Sequence, residues 1–328
     1  SCVLGKFWNK LSCMNQHEKY LWDLRGYLVV KNALTSDEVA SMNAFVDEHV
    51  TGRKESGTYH PRQTSDNKVG SFAGSDRTRF TDGDDRAWSS ASLLSWGGPF
   101  IDLIDHPSIA PYLEEVLQPG YRLDHDYLKI DNKVADRLLY LHGGGQGAGG
   151  PTDLVGPTDG GQCYYRYNNG KFYSGLIAVA YELRDVQEGD GGFACVPGSH
   201  KANIELPQNW KKSETQDEIP EVVDRVSANA GDAIIFTEAC AHGTIPWQGD
   251  RERRTLFYKY TPHAVAWSPC YYNADHYGDL TDRQRNMLMP PSAYGANTTR
   301  DEIWKRAQEE QAELLRLREE VEALRASA

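Results

Sequence analysis

The chain has 328 residues, 39% of them hydrophobic, enough for one large domain or two small ones around a buried core, and this excludes a mainly disordered chain. Its 47 acidic against 35 basic side chains give a net charge of -12, a sign that repels phosphate backbones and anionic lipid, so neither nucleic acid nor a membrane surface is expected as a partner. There is no apolar run of the roughly 20 residues a spanning helix needs and no signal-peptide core. The six cysteines, at 2, 13, 163, 195, 240 and 270, lack C-x-x-C spacing, which argues against a zinc knuckle or disulfide framework and for a reducing, cytoplasmic setting.

In chain order, residues 1–13 read as an N-terminal extension and 14–297 as one domain. A short helix is expected at Glu18 to Leu24, a strand at 26–30, and a helix from Ser36, taken as its cap, to about His49, with Asp37 and Glu38 in the positive first turn. Residues 51–93 are polar and aperiodic; a loop that long reads as a lid, as does the glycine-rich 143–161 segment. After a helix at Pro107 to Leu117 come short β-rich runs at 121–131, 137–142, 162–167, 173–184, 192–196, 222–227, 232–237 and 254–260, separated by turns such as Asn168-Asn169-Gly170. Many short strands with few helices between them predict a mainly β fold, an antiparallel sandwich or jelly roll with flanking helices. Residues 298–328 form a charged C-terminal helix with Leu314, Leu317, Val321 and Leu324 at a/d spacing, suited either to a homo-oligomer or to packing on its own domain.

Hydrolytic and phosphate-loop chemistry find little support. There is no G-x-S-x-G, Ser199 and His200 are adjacent and read as facing opposite ways on a strand, and the run Gly143 to Gly150 lacks a P-loop lysine. Histidine in a β-sandwich is the stronger lead. His142 and His242 each read as ending a strand that leads into glycine, and eleven residues after His242 the strand opening at Arg253 places a fixed cation suited to a two-pronged carboxylate contact.

The segment Gly231-Asp232 to His242-Gly243-Thr244 and Arg253-Arg254, with Gly191 to His200 upstream and the opening Gly26 to Val30, resembles the phytanoyl-CoA dioxygenase family over roughly residues 17–265. The resemblance implies an iron(II)- and 2-oxoglutarate-dependent oxygenase on a double-stranded β-helix. It implies His142 and His242 as iron ligands, Arg253 as holder of the far carboxylate of 2-oxoglutarate, and a structural His200. Lys129 and Tyr127 lie where the family has residues touching 2-oxoglutarate, and alternation is taken to let only one of them point inward. Gln162, Tyr164, Arg166 and Tyr181 are further pocket candidates.

One position departs from the family. The carboxylate expected two residues after the first histidine is Gly144, which has no side chain to ligate. Chloride, as in the iron halogenases this pattern resembles, is the leading filler and would make Gly144 an open halide position. A relocated acid (Asp153, Asp159 or Glu238) is the second, and water or a site without iron the third. The expected reaction consumes O2 and oxidises an unactivated C-H bond of a small molecule, by halogenation or hydroxylation. A metal-free binding or scaffold jelly roll, and a cupin-like enzyme needing no 2-oxoglutarate, are the rivals. Arg53, Lys54, Arg62, Lys68, Arg77 and Arg79 suggest either an anionic substrate or a solvated loop face.

Overall fold

A computed structural model describes residues 14–49, 57–59, 93–132, 139–143, 163–204, 206–267 and 272–293, with 312 and 316–318. In chain order its elements are α1 (Gln16–Arg25), β1 (Tyr27–Val30), α2 (Ser36–His49), β2 (Gly57–Tyr59), α3 (Pro99–Asp102), α4 (Ala110–Leu117), β3 (Tyr121–Asp131) and β4 (Leu139–Tyr140). There follow β5 (Tyr165–Asn168), β6 (Lys171–Ser174), β7 (Ile177–Glu182), β8 (Gly192–Cys195), α5 (Gln208–Lys211), β9 (Lys212–Ser213) and β10 (Asp224–Arg225). The last are β11 (Ala233–Thr237), β12 (His242–Ile245), β13 (Arg253–Pro262) and α6 (Asp282–Met287). No helix among the described residues is long and apolar enough to cross a membrane.

Six antiparallel strands form one sheet in the order β1-β11-β7-β13-β3-β2, and β10-β8-β12 form a second. Two cores follow from strand alternation. Leu128, Ile130, Val179, Tyr181, Leu256, Tyr258 and Tyr260 pack with Trp22, Met42, Phe100 and Leu113 of the helices. Ala178, Ala180, Ile234, Phe236 and Phe257 point the other way, toward Phe193 and Cys195 of the smaller sheet. This is the expected mainly β jelly roll with flanking helices.

A bulge in β3 decides which of its residues face inward. Lys259 of β13 pairs with His125 and Tyr260 with Leu123, so Asp124 is the extra residue. Before it Tyr121 and Leu123 face the helices; after it Leu128 and Ile130 do, and Tyr127 faces the inter-sheet core.

Several local expectations change. The cap of α2 is Thr35, not Ser36: Glu38 N–H donates to Thr35 Oγ1 at 3.3 Å and Thr35 N–H to Glu38 Oε2 at 2.7 Å, a reciprocal box that the acid at this spacing makes available. The 173–184 run splits into β6, which pairs with β5, and β7, which joins the large sheet. Residues 57–59, inside the expected loop, pair with β3. The helix expected from Pro107 starts at Ala110. Ser199 and His200 lie in a 3-10 turn, not a strand, and His200 Nε2 donates to Asp23 C=O at 3.0 Å, in keeping with a structural role. The 1–13 extension, most of both lid segments, and the 298–328 helix apart from 312 and 316–318 lie outside the described residues.

Candidate metal centre

His142 and His242 face each other across a two-residue bridge. Each backbone N–H donates to the other's carbonyl, at 2.9 and 2.8 Å, and directly opposed residues put their side chains on one face, here with ring centroids 4.2 Å apart. His242 was expected to end a strand; it begins β12 instead, because the chain leaves β11 after Thr237 and turns through Glu238, Ala239, Cys240 and Ala241. The turn is pinned by Cys240 N–H to Thr237 C=O at 2.9 Å and by Ala241 N–H to Ser199 Oγ at 2.7 Å.

That turn carries Glu238 back to the histidines. One ring nitrogen of each histidine and one carboxylate oxygen of Glu238 all lie within 4.8 Å of one another, the one such cluster of potential ligands among the described residues. Glu238 Oε2 is 3.5 Å from His242 Nε2. His242 Nδ1–H donates to Cys240 C=O at 2.7 Å, which fixes the tautomer and leaves the Nε2 lone pair facing the carboxylate. The glycine after each histidine has a packing reason. A Cβ on Gly143, whose φ is +82°, would sit 2.6 Å from the carbonyl oxygens of Glu238 and Cys240, and one on Gly243 would sit 2.5 Å from Tyr140 C=O.

The electrostatics suit a cation. Burial alone would raise the Glu238 carboxyl, but above all the Lys259 charge holds it at about 2. Burial, then the charge of His242, pushes the His142 imidazole down to about 3, so it is neutral and able to ligate at ordinary pH. Lys259 Nζ lies 2.7 Å from Glu238 Oε1. Phe236 and Phe193, with centroids 4.8 and 6.3 Å from that of His242, wall the site.

The remaining expected residues fall as follows. Tyr127 and Lys129 both point between the sheets: they are two apart, so they share a face, and the expectation that only one could turn inward is corrected. Tyr127 stacks on Phe257 with centroids 4.8 Å apart, and Lys129 Nζ donates to Thr244 Oγ1 at 2.6 Å. Arg253 is buried in the same space, donating from Nε to Glu182 Oε2 at 3.2 Å, from Nη1 to Asp131 Oδ2 at 3.1 Å, and from Nη2 to Glu182 Oε1. Arg254 turns to the helix side, where it meets Asp47 and Asn43. Tyr181 is no pocket residue, since it faces the helices against Tyr258. Arg166 is exposed, its guanidinium 5.7 Å from the ring centre of the half-buried Tyr164. Gly144, Asp153, Asp159 and Gln162 lie outside the described residues. A cavity of about 390 Å3 beside α6 shares no residue with this cluster.

Residues 158–255 match the phytanoyl-CoA dioxygenase family model. This part of the chain resembles that family. The phytanoyl-CoA dioxygenase match contains Glu238, His242 and Arg253; His142 precedes it and Lys259 follows it. Among solved structures the fold is similar to HygX from Streptomyces hygroscopicus with nickel and 2-oxoglutarate bound, at 23% identity and a TM-score of 0.61 over 81% of this chain and 94% of that one. HygX with iron bound matches at 23% identity and a TM-score of 0.59, over 82% and 95% of the two chains. HygX with nickel, 2-oxoglutarate and hygromycin B matches at 24% and 0.58, over 80% and 94%. At this identity the likeness is one of fold. A comparison with curated proteins finds no match.

Lys259 and Thr244 were not singled out by the sequence, although both had a signal. Lys259 is six residues after Arg253 on one strand, and Thr244 two after His242, so each shares a face with a chosen residue.

Proposed function

We propose that the chain is an iron(II)- and 2-oxoglutarate-dependent oxygenase of a small molecule, with His142, Glu238 and His242 as a facial triad whose carboxylate has moved from the position of Gly144 to the turn before β12. The observation that carries this reading is the donor set: two imidazoles and one ionised carboxylate converge within 4.8 Å, the ligand chemistry iron(II) takes with open positions to spare. Hydroxylation follows from this set better than halogenation, because a protein carboxylate already stands against the histidine pair.

When bound there, iron with 2-oxoglutarate and O2 would supply the oxidation of an unactivated C-H bond, with succinate and carbon dioxide released. The chain's own residues do the rest. The carbonyl of Cys240 orients His242, and the two phenylalanine rings keep water from the reacting side. Arg253 fits a co-substrate carboxylate with what it has left: three of its five N–H donors go to Glu182 and Asp131, and two remain. Lys129 supplies a second cation in the same interior, and Tyr127 an aromatic wall.

The test is anaerobic titration of iron(II) and 2-oxoglutarate into wild type, His142→Ala, His242→Ala and Glu238→Gln, with succinate and products followed by mass spectrometry with and without chloride. All three variants are expected to lose iron, and chloride to change nothing. If Glu238→Gln keeps iron while chloride tightens 2-oxoglutarate binding and a chlorinated product forms, the halide occupies the third position. Absence of iron binding in wild type would favour a non-catalytic jelly roll.

A further inference from the structure

Glu238 is held at one end by a cation and turns the other toward the histidines. Its Oε2 lies 3.5 Å from Nε2 of His242, and its Oε1 lies 2.7 Å from Nζ of Lys259. Lys259 is anchored in the middle of the large sheet, opposite His125 on β3 and Ala178 on β7, and its side chain is 12% exposed. Its ammonium also stands 5.6 Å from the ring centre of Tyr127. The Lys259 backbone is fixed by a central strand and its ammonium rests beside an aromatic face, whereas Glu238 sits on a turn.

A carboxylate can give a metal one oxygen or two, and the difference is one coordination position. A chelating 2-oxo acid and O2 need three positions beside two histidines and one oxygen. A second oxygen from Glu238 would take one of them. We infer that Lys259 is the positioning residue that confines Glu238 to a single metal-facing oxygen, Oε2, and so keeps the third position open. The inference rests on the triad proposed above.

The experiment uses the full chain loaded with Mn(II), whose inner-sphere waters are counted by water-proton relaxation, together with Ni(II) affinity by calorimetry. Wild type is expected to hold about three exchangeable waters. Lys259→Met, an unbranched side chain one atom shorter and without the cation, frees Oε1 to turn onto the metal. It should lose about one water and bind 2-oxoglutarate about tenfold more weakly or worse. Glu238→Gln should lose at least about tenfold in Ni(II) affinity. If Glu238→Gln binds Ni(II) like wild type, the triad itself is wrong. If Glu238→Gln loses the metal but Lys259→Met keeps the wild-type water count and 2-oxoglutarate affinity, the triad stands and the positioning role falls. Should Lys259→Met not fold, the infrared carboxylate bands of wild type labelled with 13C-glutamate decide, with Glu238→Gln as blank: a one-oxygen splitting on metal binding supports the role, and a two-oxygen splitting overturns it.

Discussion

Along β13, Leu256, Tyr258 and Tyr260 enter the helix-side core, while Arg253, Thr255, Phe257 and Lys259 enter the space between the sheets. Neighbouring strands repeat the division. On β7 Tyr181 faces the helices and Glu182 meets Arg253; on β3 Ile130 faces the helices and Asp131 meets the same arginine. The helix side is mainly apolar, and Tyr258 and Tyr260 end there on backbone carbonyls. The inner side holds two ion clusters, Arg253 with Glu182 and with Asp131, which also lies beside Lys129, and Lys259 with Glu238. Buried ion pairs are commonly no more stabilising than apolar residues of the same volume, so this face is charged at some cost to the fold. The difference teaches where to look for chemistry: one face of the sheet holds the domain together, the other carries the residues of the proposed site.

The largest expected effect separates the two faces directly. His242→Ala removes a ring that touches the proposed metal and should lower Ni(II) affinity by more than the ~10–100-fold that changes behind a ligand produce. Leu256→Ala, on the same sheet but the other face, should cost about 2–5 kcal/mol of stability and leave metal affinity alone. Calorimetric titration and urea unfolding of both variants measure this; a Leu256→Ala protein that folds but no longer binds metal would show the faces to be coupled.

Adjacent arginines give the next test. Arg253→Leu strands the buried Glu182 without its cation and leaves Asp131 only the more distant Lys129, so it should cost about 3–5 kcal/mol and weaken 2-oxoglutarate binding. Arg254→Leu should cost less and leave the Michaelis constant for 2-oxoglutarate unchanged, because it lies on the other face and its acidic partners, Asp47 at 58% and Glu252 at 15% side-chain exposure, both reach water. Equal losses in both would mean that the interior pairing carries no special weight.

Much of this division was legible from alternation, since β13 was placed nearly to its ends and the opposite facing of Arg253 and Arg254 follows from a period of two. The jelly roll was legible from short strands and turns. What could not be read was the geometry at breaks in periodicity. The bulge at Asp124 changes which parity of β3 faces inward, and a one-residue bulge leaves no mark in composition. Glu238 is one of three acids that could stand in for the missing ligand. It reaches the histidines through a turn, which strand periodicity does not foretell. Lys259 went unnoticed because its meaning depends on where that turn puts Glu238.

The bulge also makes a prediction about acid. Burial would raise the Asp124 carboxyl, but the His125 hydrogen bond and charge, the Trp267 N–H and Arg122 outweigh it and hold it at about 2, below its ordinary 3.8. A group depressed on folding stabilises fully above its unfolded value and loses that contribution as pH falls through the folded one. Asp124 should therefore contribute about 2 kcal/mol above pH ~4, lost between ~4 and ~2. Urea unfolding of wild type and Asp124→Asn should differ at pH 5 and converge near pH 2; a constant gap would assign the effect to packing rather than charge.

The smallest effect is the sharpest control on the helix side. Tyr258 is fully buried there, and its hydroxyl donates to Phe100 C=O at 2.7 Å, tying the large sheet to α3. Tyr258→Phe keeps the ring and deletes one neutral hydrogen bond, so the expected loss is about 1 kcal/mol. The residue is next to Lys259 in sequence, yet its side chain leaves the sheet on the opposite face, so Ni(II) affinity and the Mn(II) water count should not move. If they do, the sheet transmits strain from its helix side to the proposed centre, and the separation of a holding face from a reacting face fails at the residue where it should be cleanest.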